Sequence, residues 1–139
     1  MRILGIDYGD ARTGIAITDA LNITAQGLET IHNEGSDKLI LKRIDEILEK
    51  YDVDTIVIGR PINMNGTTSA RTDITEKFIH KLKCKYNKLK IEVVDERLTT
   101  VAAHKTMNFL DINKNKKRNI VDTISAVYIL ETYLNKIKN

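Results

Sequence analysis

The chain has one cysteine, Cys84, no tryptophan, and aromatic residues at only 5% of its 139 positions. One thiol cannot close an internal disulfide and by itself builds no zinc cluster. With no base beside it in the sequence, Cys84 also lacks the partner that thiol nucleophiles use. His32, His80 and His104 are dispersed, and none is assigned a catalytic role. The shortage of aromatics argues against stacking on unpaired bases, so a nucleic-acid partner is expected to be recognised by shape and backbone. No apolar run approaches the ~20 residues that span a bilayer. No basic segment leading into an apolar one opens the chain, so the expected location is cytoplasmic.

What is present suits one globular domain over residues 1–139, large enough for a single core. Hydrophobic residues make up 42% and charged residues 29%, with a net charge of +3. That mild basicity is compatible with nucleic acid without pointing to it. Arg2 opens an apolar run, Ile3-Leu4-Gly5-Ile6, that ends in Asp7 and predicts a strand buried on both faces. Gly9 and Gly14 bracket a turn, Thr13 to Thr18 alternates as a second strand, and Thr24 to His32 predicts a third. After the turn Asn33-Glu34-Gly35, Ser36 or Asp37 can cap a helix with Ile40, Ile44, Ile47, Leu48 and Tyr51 on one face.

Asp54 to Gly59 predicts a fourth strand, running into a turn-rich loop from Arg60 to Thr67. Thr68 or Ser69 opens a second helix with Ile74, Phe78, Ile79 and Leu82 sharing a face and Asn87 ending it. Ile91 to Asp95 predicts a fifth strand, followed by a third helix capped by Thr99 or Thr100 and carrying Ala103, Met107 and Leu110. Asn113 to Asn119 reads as a basic connector, and the last helix starts at about Ile120. Three strands in succession predict an antiparallel meander, and strands alternating with helices predict parallel additions. The expected α/β architecture is a mixed five-stranded sheet, β-β-β-α-β-α-β-α-α, with helices on both faces. That order is the ribonuclease H-like one.

Three carboxylates stand where a carboxylate is locally out of place. Asp7 ends a buried strand, Glu96 follows another, and Asp122 lies in the first turn of a largely apolar helix. Each has an ordinary explanation: Asp7 capping the turn at Gly9, Glu96 pairing with Arg97, Asp122 complementing the helix dipole. Together they suggest a cluster, since strand ends on one sheet edge gather side chains over the crevice where α/β sheets bind ligands. If the first and fifth strands are near neighbours, Asp7 and Glu96 converge there, and the final helix brings in Asp122. Converging carboxylates repel unless a cation joins them, and oxygen-only ligands favour Mg²⁺ or Mn²⁺. One such ion, or two ~3.5–4 Å apart, can activate water and stabilise the leaving oxygen of a phosphodiester.

GIDYGDARTGIAITD, GRPINMNG, VDERLTT and NIVDTISAVYIL, in that order, resemble the motifs of the YqgF family, described as Holliday junction resolvases or pre-16S rRNA nucleases. The resemblance covers nearly the whole chain and implies a ribonuclease H-like fold similar to the RuvC resolvases. By motif it places the family's acidic residues on Asp7, Glu96 and Asp122, as catalytic groups and metal ligands. Three positions depart from the pattern: Ala11 where a basic residue is common, Arg60 where leucine is common, and Ser125 where RuvC-type sites carry a fourth acid.

Arg12 and Arg97 either orient the acids or hold a phosphate bidentately, or else pair with Asp19 or Asp95. Arg60 adds charge beside a phosphate, and Asn63 belongs to a loop that faces substrate. Lys114, Lys116, Lys117 and Arg118 offer flanking phosphate contacts that would make binding salt-sensitive. The leading expectation is a metal-dependent nuclease acting on structured RNA or branched DNA, with 5′-end processing of pre-16S rRNA, junction resolution, or both as its task. It would act as a monomer or homodimer, with possible ribosome association. A non-catalytic nucleic-acid-binding or ribosome-associated factor is the alternative. The first hairpin is also similar to the phosphate-binding hairpin of sugar kinases and actin-like ATPases, but their cleft needs two lobes and this chain has material for one.

Overall fold

The computed structural model describes residues 1–62, 66, 69–96 and 114–138, with 114–122 described by their backbone. The five strands are β1 (Arg2–Asp7), β2 (Arg12–Thr18), β3 (Ala25–His32), β4 (Val53–Arg60) and β5 (Lys90–Asp95). Three helices accompany them among the described residues: α1 (Asp37–Lys50), α2 (Ala70–Lys85) and α3 (Lys114–Lys138). The expected helix with Ala103, Met107 and Leu110 lies outside the described residues, as do its caps Thr99 and Thr100. The expected basic connector is helical from Lys114 onward. Lys and Arg are good helix formers, and no glycine or proline interrupts that stretch, so a charge run there extends the helix.

The sheet order is β3-β2-β1-β4-β5, a mixed five-stranded α/β sheet. β1 pairs antiparallel with β2 and β2 antiparallel with β3, while β1–β4 and β4–β5 are parallel. This is the ribonuclease H-like arrangement. The first and fifth strands are therefore not adjacent: β4 lies between them, which changes how their ends can meet.

Strand alternation sorts the residues of β1 into two layers. Leu4, Ile6 and Tyr8 belong to the core under α1 and α2, with Ile40, Ile44, Phe78 and Leu82. Ile3 belongs to the opposite core under α3, with Ala16, Val57, Ala126, Ile129 and Leu130. Fully burying an aliphatic side chain contributes roughly 1.5–3 kcal/mol, so α3 is held mainly by this apolar stripe. On α2 the buried set is Thr72, Thr75, Phe78, Ile79 and Leu82. Ile74, expected on that face, is instead 44% exposed. Two polar threonines hold places in the inward stripe that an apolar pattern alone would not mark.

The floor beneath α3 is built of small residues. A Cβ on Gly5 would lie 2.5 Å from Leu130 Cγ, one on Gly27 2.9 Å from Thr123 Cβ, and one on Gly59 2.6 Å from Ile129 Cδ1. Three strands thus each supply a glycine where the helix crosses. Leu134, Asn135 and Lys138 line a cavity with Ile23, Thr24 and Ala25, at the start of β3. Because β3 runs in the same direction as β1, α3 starts near the Asp7 end of the sheet and finishes at the opposite one.

Candidate active site

The site is built at the C-terminal end of β1. Alternation puts Tyr8 in the α1/α2 layer and Asp7 on the α3 side, and Tyr8 is firmly anchored. Its ring stacks on Phe78 with centroids 4.3 Å apart, and its hydroxyl donates to Asp37 Oδ1 at 2.7 Å. Burial first, and then the Asp37 hydrogen bond, push the Tyr8 hydroxyl far above the usual phenol range, so it stays a donor. Lys81 completes the network at 2.7 Å from the other Asp37 oxygen. Across the strand, Asp7 pairs with Gly14 of β2.

The turn after Asp7 is held from outside. Asn33, 1% exposed, donates through Nδ2 to the carbonyls of Gly9 (3.1 Å) and Asp10 (2.9 Å) and accepts from the Thr13 hydroxyl at 3.1 Å. Gly35, at φ +81°, adds a hydrogen bond from its N–H to the Asp10 carbonyl. The sequence marks Asn33 as a turn former; that it braces the first hairpin follows from β3 bringing it alongside.

Glu96 follows β5, its N–H donating to the Arg60 carbonyl at 3.1 Å. Its carboxylate lies over Gly59 of β4: a Cβ there would collide with Glu96 Oε2. Crossing β4 in this way, Glu96 reaches Asp7 and forms a side-chain hydrogen bond with it. The Gly9 N–H, which Asp7 was expected to cap, is instead taken by the Thr13 hydroxyl at 3.3 Å. Convergence is thus achieved across an intervening strand, and Gly59 is what permits it. Burial raises the Glu96 pKa, opposed by the Asp7 hydrogen bond and by the positive charge of Arg71. Glu96 Oε2 is buried without a hydrogen-bond partner.

Asp122 stands on α3 one turn before Ser125 and Ala126 and two turns before Ile129, the residue that shares the space over Gly59 with Glu96. That position lies in the N-terminal half of α3. Among the described side chains no three His, Cys, Asp or Glu residues gather as a metal cluster, and the Asp122 side chain is outside that set. The Asp7–Glu96 pair nonetheless fits a hard divalent cation: its donors are all oxygen, it needs a counter-charge to be doubly ionised, and one of its oxygens is orphaned.

The other expected contacts divide. Arg60 is committed elsewhere, its guanidinium 3.0 Å from Asp95 Oδ1 and 3.1 Å from Glu76 Oε1. Arg60, expected to add positive charge beside a phosphate, carries that charge within an exposed ion-pair network at the ends of β4 and β5. Asp19 serves its own loop, accepting from the N–H groups of Ile23 (2.7 Å) and Thr24 (3.2 Å). Arg12 opens β2 opposite His32. Lys114, Lys116, Lys117 and Arg118 fall in the first turns of α3. Asn63 and Arg97 lie outside the described residues.

One residue near the site escaped the sequence reading, Arg71 in the first turn of α2; Ser125 stood out in the sequence only as a departure from the fourth acid, and no sequence signal marked its burial. Cys84 also proves to have a base in reach, His80 Nε2 at 3.5 Å; the signal was their helical i,i+4 spacing. Both are exposed on α2, apart from the carboxylate pair.

Comparison with known proteins gives a consistent result. The model of a family described as "RuvX: Holliday junction resolvase" matches residues 1–136. A Ruminiclostridium cellulolyticum protein named "Putative pre-16S rRNA nuclease" is 56% identical over 99% of this chain and 96% of its own. An Acetivibrio thermocellus protein of the same name is 52% identical over 96% of this chain and 95% of its own. Among solved structures, the fowlpox virus resolvase bound to Holliday junction DNA aligns with TM-score 0.61 at 12% identity, over 100% of both chains. Thermus thermophilus RuvC with a Holliday junction substrate aligns with TM-score 0.58 at 10% identity, over 100% of this chain and 97% of its own. These structural likenesses establish the fold.

Proposed function

This chain belongs to the RuvX family of Holliday junction resolvases, and we propose from that premise that it is a metal-dependent nuclease that trims the 5′ end of pre-16S rRNA. The observation that carries the reading is the meeting of Asp7 and Glu96 over Gly59. The names of relatives more than 50% identical along almost their whole length support RNA as the substrate. Action on four-way DNA junctions is the related activity to test beside it. The whole span 1–139 acts as one nuclease domain, in the cytoplasm and in contact with assembling ribosomes.

Asp7, Glu96 and Asp122 are the proposed ligands of one or two Mg²⁺ or Mn²⁺ ions. Such an ion, when bound, lowers the pKa of attacking water and stabilises the leaving oxygen. The protein's part is to hold the acids still. Asp7 is fixed by a central strand whose next residue is anchored by Phe78 and Asp37. Glu96 is fixed by its backbone bond to Arg60 and by the groove that Gly59 leaves. Arg12, Asn63, Arg97, Lys114, Lys116, Lys117 and Arg118 are the proposed contacts to the nucleic-acid backbone, and Arg60 is left out because its charge is already matched.

The test is cleavage of a pre-16S rRNA fragment and of a four-way DNA junction with Mg²⁺ or Mn²⁺. Asp7→Asn is expected to remove activity by more than ~10³-fold while leaving the fold intact by circular dichroism, since the ligand set loses a charge at its centre. Cleavage surviving that substitution would refute the assignment. A non-catalytic binding factor is favoured by one observation, a serine in place of a fourth acid at 125. RNA binding with no cleavage under any divalent ion would decide for it.

A further inference from the structure

Among the described residues, two buried side-chain oxygens have no hydrogen-bond partner: Oε2 of Glu96 and Oγ of Ser125. The contrast with other buried hydroxyls is clear. Thr13 donates to Asn33, Thr18 to Asn22, Thr72 to the Pro61 carbonyl and Thr75 to the Arg71 carbonyl. Ser125 is 0% exposed, so bulk water does not serve it either. A native protein rarely leaves a buried hydroxyl unmet unless a water or ion completes it.

The two orphaned oxygens belong to the same region of the fold. Ser125 lies one turn before Ile129, whose Cδ1 occupies the space over Gly59 together with Glu96 Oε2. The next residue, Ala126, turns its carbonyl to Gly5, two positions before Asp7 on the same face of β1. A water needs two to four polar partners to be held in a protein interior. Hard divalent cations keep several of their waters when bound to carboxylates.

We propose that Ser125 is a positioning residue of the site: its hydroxyl and the second oxygen of Glu96 hold a water from the hydration shell of a divalent cation bound at Asp7 and Glu96. The proposal rests on the metal-dependent reading above. It makes Ser125 useless to the metal-free protein, where its hydroxyl is a buried group without a partner, and useful once the cation is present.

Those two roles have opposite signs in one variant. Ser125→Ala is compared with the unaltered protein by thermal unfolding in EDTA and by calorimetric titration of the metal-free protein with Mn²⁺. The expected result is an unchanged or higher Tm in EDTA together with Mn²⁺ binding weakened by about 10–100-fold, the usual cost of losing an outer-sphere partner. A lower Tm in EDTA with unchanged Mn²⁺ affinity would mean a structural hydroxyl and overturn the proposal while leaving the metal site standing. Mn²⁺ binding that is absent from the unaltered protein, or indifferent to Asp7→Asn, overturns the metal-dependent reading and this proposal with it.

Discussion

Gly59 decides whether two carboxylates on non-adjacent strands can meet. Glycine is usually explained by its backbone freedom, but Gly59 sits within β4 and the reason here is the space its missing side chain leaves. A methyl group there would collide with Glu96 Oε2 and stand 2.6 Å from Ile129 Cδ1. Gly59→Ala should therefore displace either the glutamate or the helix. Overpacking of this kind typically costs about 1–3 kcal/mol, measurable by urea unfolding. Nuclease activity should fall further than stability, by about 10²-fold, since a ~1 Å misplacement of a catalytic group has that effect. Equal activity in the alanine variant would show that Glu96 need not cross β4. The sequence displays Gly59 as the end of a β-branched run, with nothing to say that a residue 37 positions later fills its empty side.

At the scale of elements, the ends of β4 and β5 and the middle of α2 are joined by Arg60, Asp95 and Glu76. The three side chains are 39–47% exposed, so the network is screened and contributes little to stability, under ~1 kcal/mol. Its consequence is for binding. Arg60→Leu should leave RNA affinity and its salt dependence unchanged between about 50 and 200 mM salt, as read by fluorescence anisotropy. A slope shallower by about one charge would place the guanidinium on a phosphate instead. Helix α3 was the element least well bounded by its sequence. Its apolar stretch after Ile120 was legible, but four basic residues before it resembled a solvated loop, and helix propensity outweighed that resemblance.

For the molecule as a whole, the Asp7–Glu96 pair links the site to stability. Burial raises the Glu96 pKa, so in the metal-free protein the folded state keeps this proton to higher pH than the unfolded chain does. Unfolding then releases a proton in the window from the ordinary glutamate pKa of about 4.3 up to the raised value, and stability falls as pH rises through that window. Urea unfolding in EDTA at stepped pH should show this decline, and Glu96→Gln should flatten it. An unflattened profile would assign the proton to another group. A bound divalent cation favours the ionised pair, so added Mn²⁺ should offset the decline at the upper end of the window.

The sequence by itself determined the order of the strands and helices among the described residues, the meander followed by parallel additions, and which three acids were anomalous. Those follow from periodicity, turn chemistry and the cost of a charge at the end of an apolar run, all of which act between near neighbours in the chain. It also carried the family motifs, which extend over almost the whole length. The tertiary structure decided how Asp7 and Glu96 approach one another. Strand order put β4 between β1 and β5, and an absent side chain on β4 opened the crossing. It also placed Asn33 under the first turn and left Ser125 buried without a partner. Such facts depend on which residues become neighbours across tens of positions, and no local pattern of residues encodes that.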